Sequence, residues 1–319
     1  SRLLQRWIVL PLIDKEQIDW RLDIVESFLQ NADLAQQMSD SLNSIGDLER
    51  LVSKIAMMRV QPNELYALIN ILKEIFSIKD SFSSSQSPRL QQLSQDLIIC
   101  NDLVELLTKY ISPSAPNNIS KGGAIAFGVD EELDYYRRIS TDAKELINDI
   151  LKREIEATGI TSLKISYNNV FGYYLEVTNT HKDKVPESWI RKQTLTNAER
   201  YITEELKDLE TKILNAAEFI SRKESAIYSN LLEQLKKWIE PLQKNANILS
   251  QIDCLVSFAI VAKHNKYTKP QITQDYILNI TEGRHPVIEK TLPIGTQYIS
   301  NDVYLDKESS QIAIITGPN

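Results

Sequence analysis

The sequence predicts a mainly α protein: a helical core, two long antiparallel helices with a small β-sheet inserted between them, and a short β segment at the end. Three observations predict it. Glycine is scarce, 9 residues in 319 with none between Gly46 and Gly122, which suits long helices better than a doubly wound sheet. Two runs, Val129–Thr158 and Thr203–Glu240, hold no Gly or Pro and keep an apolar period near that of a helix. Between them the apolar period changes to two, the signature of strands.

The elements follow in chain order. Asp14 with Gln17 resembles a capping box, and Ile18, Leu22, Val25 and Phe28 continue at helical spacing. Asp47 opens another helix. Pro62 fits a first helical position, and Leu65, Leu68, Ile69 and Leu72 form one apolar face behind it. Ser81–Pro88 reads as a connector, 90–99 and 101–111 as two more helices, and Ser112–Gly123 as a loop. The run 129–158 corresponds to about 45 Å of helix. Alternating segments at 163–167, 173–178, 190–195 and 199–202 make four strands. The helix from Thr203, a plausible N-cap, runs about 57 Å to Pro241, which ends it. A further helix reaches Ala262, and β-like segments follow at 276–280, 297–300 and 311–315.

Composition excludes several classes. With 42% hydrophobic and 25% charged residues the chain carries enough apolar material for cores, so disorder is excluded for most of it. The longest near-continuous apolar stretch, Cys254–Ala262, falls short of the ~18 residues that span a bilayer. No signal peptide is read at the start, and no membrane association is expected. Cys100 and Cys254 are too distant to form a CxxC site or a disulfide framework, which points to a reducing compartment. His181, His264 and His285 lack metal-ligand spacing, so no metal site is expected. A net charge of −7 excludes a globally basic nucleic-acid binder but leaves room for a local patch.

Such a patch lies in the β insert. Between 161 and 202 the cations Lys164, Lys182, Lys184, Arg191, Lys192 and Arg200 face four acids, a net +2. Short polar side chains accompany them, Thr194 and Asn197 among them, of the kind that contact phosphates without reading bases. A solvated hairpin protected from edge pairing gives the same composition, so both readings stand. At the far end, the apolar run 312–315 leads into Gly317. A phosphate-binding loop starts this way, and so does an ordinary turn.

Several stretches carry a family resemblance: Ser1–Trp7 (SRLLQRW), Ile45–Leu51 (IGDLERL), Gly123–Gly128 (GAIAFG), Asp130–Asp134 (DEELD), Gly172–Tyr174 (GYY), Arg191–Tyr201 (RKQTLTNAERY), Thr281–Pro286 (TEGRHP) and Thr316–Asn319 (TGPN). Over essentially its whole length the sequence resembles the MutS family of DNA mismatch-recognition ATPases. The resemblance implies a map: 1–160 as core and first lever helix, 161–202 as the clamp, 203–266 as return lever and core, and 267–319 as the start of a P-loop ATPase domain, truncated within its phosphate loop. It implies mismatch repair as the function, with the clamp binding the backbone of double-stranded DNA without sequence preference and the levers coupling it to ATP. The residues expected on DNA are Lys164, Lys182, Lys184, Arg191, Lys192, Thr194, Asn197 and Arg200.

For the nucleotide, Tyr298 matches an aromatic that stacks on adenine, and Gly317, Pro318 and Asn319 match the start of the phosphate loop. ATP and magnesium are thus expected cofactors of the intact parent, with neither bound by these 319 residues. Because the loop's Lys and Ser/Thr are missing, no ATP hydrolysis is expected of this chain either. A homodimer, a MutL-type partner and a bacterial, cytoplasmic, nucleoid-associated setting are further implications. The competing expectation is a coiled-coil scaffold that binds protein partners without touching DNA.

Overall fold

The computed structural model describes every residue except Ser1, Asn169, Phe171, Ile294 and 316–319. Its helices begin largely where side chains satisfy the free N–H groups of a first turn. The helices before the insert are α1 (Arg2–Val9), α2 (Lys15–Gln30), α3 (Ala32–Ile45), α4 (Leu48–Ala56), α5 (Pro62–Ser83), α6 (Pro88–Asp96), α7 (Asn101–Tyr110) and α8 (Glu131–Thr158). Asp14 accepts from the Glu16 amide at 2.9 Å, while Gln17 Nε2 donates to its other oxygen at 3.0 Å. Asp47, Asp130 and Thr203 cap α4, α8 and the helix after the insert in the same way.

The insert consists of β1 (Lys164–Asn168), β2 (Gly172–Thr178), a short 3-10 helix (Asn179–Lys184), β3 (Ile190–Thr194) and β4 (Ala198–Ile202). After it come α9 (Glu204–Leu235), α10 (Ile239–Asn265), β5 (Leu278–Gly283), α11 (Ile288–Thr291) and β6 (Asn301–Leu305).

By mutual packing the chain divides into two units, residues 1–40, 81–94 and 249–319 in one, 41–80 and 95–248 in the other. In the first, Phe28 and Phe82 pack with ring centres 6.1 Å apart, and Arg21 lies 3.5 Å over the Trp7 ring. Lys269 bridges Asp23 and Glu26, each at 2.8 Å. Arg284 closes the end of α10 by donating to the carbonyls of Asn265 and Lys266 at 3.1 and 2.9 Å.

The second unit holds the long helix pair. α8 and α9 run antiparallel, joined by Lys223 to Asp130 and Glu132, by Tyr136 stacked on Phe219 at 3.9 Å, and by Arg153 with Glu205. At their base a fully buried Glu224 accepts from the Gly123 and Ala124 amides at 2.9 and 3.0 Å and from Arg137 at 2.7 Å. Asn245, also fully buried, accepts from the Ile98 amide and donates to its carbonyl. α8 is kinked at Asp142, whose φ of −108° and ψ of 18° are not helical. One residue earlier, the Thr141 hydroxyl donates back to the carbonyls of Arg137 and Arg138, a competition with the helical ladder that bends helices.

At the other end of the pair sits the sheet, antiparallel in the order β1-β2-β4-β3. One face packs on the helix ends: Leu175, Val177, Tyr201 and Trp189 meet Ile150, Ile160, Leu163 and Leu206. Gly172 starts β2 at a φ of +75°, where a Cβ would also run into the Glu210 carboxylate.

Several expectations need correction. The helix from Thr203 ends at Leu235, with a 3-10 turn at Lys236–Trp238, and Pro241 lies inside the first turn of α10. Proline is tolerated there because an N–H in that turn has no helical acceptor. Helix α5 extends through Ser83, into the expected connector. Of the terminal β segments, the strands are Leu278–Gly283 and Asn301–Leu305, while 297–300 and 312–315 are not strands. Ile312, Ile314 and Ile315 of this apolar run are exposed. A strand needs a partner ladder, and among the described residues this run has none. Within 204–265 one 18-residue window reaches a mean hydropathy of 1.4, enough by length and composition to cross a bilayer. Of that window 44% is buried in protein; Leu249, Ile252, Leu255 and Val256 on this helix are buried, while Phe258, Ile260 and Val261 are exposed.

Candidate nucleic-acid interface

Side chains alternate across a strand, so the sheet has a packed face and a second, more polar one. Register decides which residue goes where. β4 pairs with β2 through Glu176↔Arg200 and with β3 through Ile190↔Ile202 and Arg191↔Tyr201. The pairing of β3 then slips: Gln193, not Lys192, faces Arg200. Two residues of β3 therefore oppose one of β4, the definition of a β-bulge, a device that re-aims side chains at sheet edges.

The bulge brings Gln193 opposite Arg200. Its guanidinium donates to Gln193 Oε1 at 2.9 Å and to Glu176 at 3.3 Å, and lies 4.5 Å over the Tyr174 ring. It is half-buried and engaged within the sheet, unlike the exposed cations around it. Lys164 is exposed at the start of β1, on the opposite edge from β3. Lys182 and Lys184 are exposed on the 3-10 helix, and Arg191, Lys192 and Thr194 on edge strand β3. Asn197 is exposed in the β3–β4 turn, which joins the 3-10 helix through the Asn179 amide on the Asn197 carbonyl at 3.2 Å. Seven of the eight expected residues thus belong to the β3–β4 hairpin and the 3-10 helix beside it, and six of them, all but Arg200, are exposed.

Beneath this side lies a pair that the sequence reading passed over. Glu199 on β4 is 9% exposed. It accepts from the Tyr201 hydroxyl and, at 3.4 Å, from Arg191 Nη1. The Tyr201 bond, helped by the charges of Arg191 and Lys182, holds its carboxyl below the usual range against the opposing effect of burial. Burial, and then Glu199, push the Tyr201 hydroxyl up to about 12. The available signal was the two-residue spacing of Glu199 and Tyr201, which puts both on one face of β4.

The exposed charge is more one-sided than the composition. Glu199 is buried, and Glu176 is half-buried and paired with Arg200. Five exposed cations, Lys164, Lys182, Lys184, Arg191 and Lys192, then face only two exposed acids, Asp183 and Glu187.

Of the expected nucleotide residues, the structure describes Tyr298 alone. Tyr298 is half-buried in an irregular stretch, and Gly317, Pro318 and Asn319 lie outside the described residues. Among the described residues no three His, Cys, Asp or Glu side chains are placed to hold a metal ion.

Comparison with known proteins places this architecture. A family model described as MutS domain III matches residues 1–259. The chain is 51% identical to the DNA mismatch repair protein MutS of Flavobacterium johnsoniae, 50% to that of Bacteroides fragilis and 48% to that of Cytophaga hutchinsonii. Each alignment covers 100% of this chain and 37% of the relative, so the chain spans little more than a third of their length. With the helical core, the antiparallel helix pair and the inserted sheet all inside the matched region, the chain belongs to the MutS family.

Proposed function

We propose that this chain is the core, lever and clamp region of a DNA mismatch-repair protein, and that its sheet grips the backbone of double-stranded DNA. The observation that carries this reading is the excess of exposed cations on the sheet, five against two acids, in a chain of net charge −7. Arg191, Lys192, Lys182, Lys184, Thr194 and Asn197 form the main contact, with Lys164 at the other edge. Arg200 acts by fixing Gln193 and the bulge. Contacts of these side chains to phosphates carry no sequence information, so a grip made through the backbone is indifferent to sequence.

The helix pair supplies a mechanical link. α8 and α9, about 42 and 48 Å long, are fastened to each other near both ends, so a rotation at the base becomes a displacement at the sheet. In the intact protein ATP would drive that rotation, with Tyr298 offering an aromatic face to the base.

The test is fluorescence anisotropy of labelled duplex DNA with the intact protein at two salt concentrations. Replacing Arg191 and Lys192 by Glu should weaken binding at least tenfold on matched and mismatched duplexes alike. It should also flatten the salt dependence by about two phosphate equivalents. Unchanged affinity would refute the interface.

A further inference from the structure

We propose that Glu199 is a positioning residue of this interface, a buried carboxylate that aims Arg191 at a backbone phosphate; the inference rests on the DNA-binding reading above. Its basis is the way Glu199 is built in. Ala198, Tyr201 and Ile202 around it on β4 are buried, and a carboxylate in such a place is costly unless its oxygens are satisfied. Each oxygen has its own partner. The Tyr201 hydroxyl donates to Oε2, and the Tyr201 ring is itself set against Trp189 at 6.0 Å. Arg191 Nη1 reaches Oε1 from outside.

Arg191 thus bridges two environments, with one end of its guanidinium on a buried anion and a side chain 61% exposed. Of the five donors of a guanidinium, this contact uses one. The remaining fork is free for the bidentate geometry that arginine adopts on phosphate. Arg200, nine residues away, shows the alternative: it donates to both Gln193 and Glu176, lies over Tyr174 and is half-buried. The bulge contributes as well, because Gln193 is drawn to Arg200 and away from the position opposite Glu199. Holding Arg191 in place before DNA arrives removes an ordering cost from binding, so an acid in a basic surface strengthens the grip.

That gives the experiment a sign. Glu199→Gln removes a negative charge, and the electrostatic field alone would then tighten DNA binding. Positioning requires the opposite. In the intact protein, anisotropy titration of duplex DNA should show Glu199→Gln weakening binding by about two- to tenfold. Made in an Arg191→Gln background, the same change should have no further effect, because its consequence passes through Arg191. Tyr201→Phe keeps the net charge and frees one carboxylate oxygen. It should weaken binding in the same Arg191-dependent way, and serves if Glu199→Gln fails to fold.

Tighter or unchanged binding with Glu199→Gln overturns the proposal, as does an equal loss in the Arg191→Gln background, which would mark a merely structural role. If the Arg191, Lys192 double reversal has no effect, the interface itself is wrong, and the two failures are told apart.

Discussion

Glu224 is a carboxylate with no exposure, and four groups define its place: the Gly123 and Ala124 amides, Arg137 and the α9 backbone that carries it. Glu224→Ala leaves two amides unpaired and takes the principal counter-charge from a buried guanidinium. A loss of about 3–5 kcal/mol in urea unfolding is expected. The Arg137→Met, Glu224→Leu double variant should recover only part of it, because the two amides stay unsatisfied. Nothing near Glu224 in the sequence announces this role. Lys223 and Ser225 flank it like a surface residue, and only the packing of the 119–128 loop buries it. Tyr201 gives a second prediction. Its hydroxyl titrates at about 12 in the folded chain, against 10.0 for an ordinary tyrosine, so its contribution is fully present below pH 10 and is lost as pH rises toward 12. Tyr201→Phe should therefore lose stability less steeply between those pH values in urea melts, while being less stable at neutral pH. Glu199 works in the other direction: its carboxyl is held low, so its contribution is present above the ordinary carboxylate range and fades in acid.

Helix α8 shows at the next scale how a single hydroxyl shapes an element. Thr141 donates to the Arg137 and Arg138 carbonyls just before the kink at Asp142. Thr141→Ala removes the competing donor and replaces a β-branched residue with the best helix former. Slower amide exchange across 138–146 is expected, with a gain of about 0.5 kcal/mol in stability. The long helices and the four strands of the sheet were legible because each holds one hydrophobic period over its length, and observed boundaries fall within a few residues of those expected. The kink was not legible, since threonine in a helix is common and its back-bond depends on rotamer. The bulge was hidden for a related reason: Arg191-Lys-Gln-Thr alternates acceptably in either register, and the register observed is the one that sets Gln193 against Arg200 on the neighbouring strand. The terminal β segments were misplaced because composition marks where a strand could form, and pairing decides where it does.

Across the whole chain, the sequence showed a weak positive bias in the insert, and folding sharpened it by burying one acid and pairing another. Charge counts understate a surface when acids and bases differ in burial. Arg200 illustrates the converse, a cation that counts toward the patch and is spent within the sheet.

The Arg284 guanidinium has a consequence for how far the chain can be shortened. It closes the last turn of α10 from eighteen residues downstream of Lys266 while Glu289 holds its other side at 2.8 Å. A chain trimmed back to Pro270 would keep every residue of that helix and lose the latch on its end. Its final carbonyls would then turn to water, and hydrogen exchange should show fraying from Ala259 to Asn265 that the 319-residue chain does not have. A helix terminus can thus belong, energetically, to a segment that the linear order assigns elsewhere.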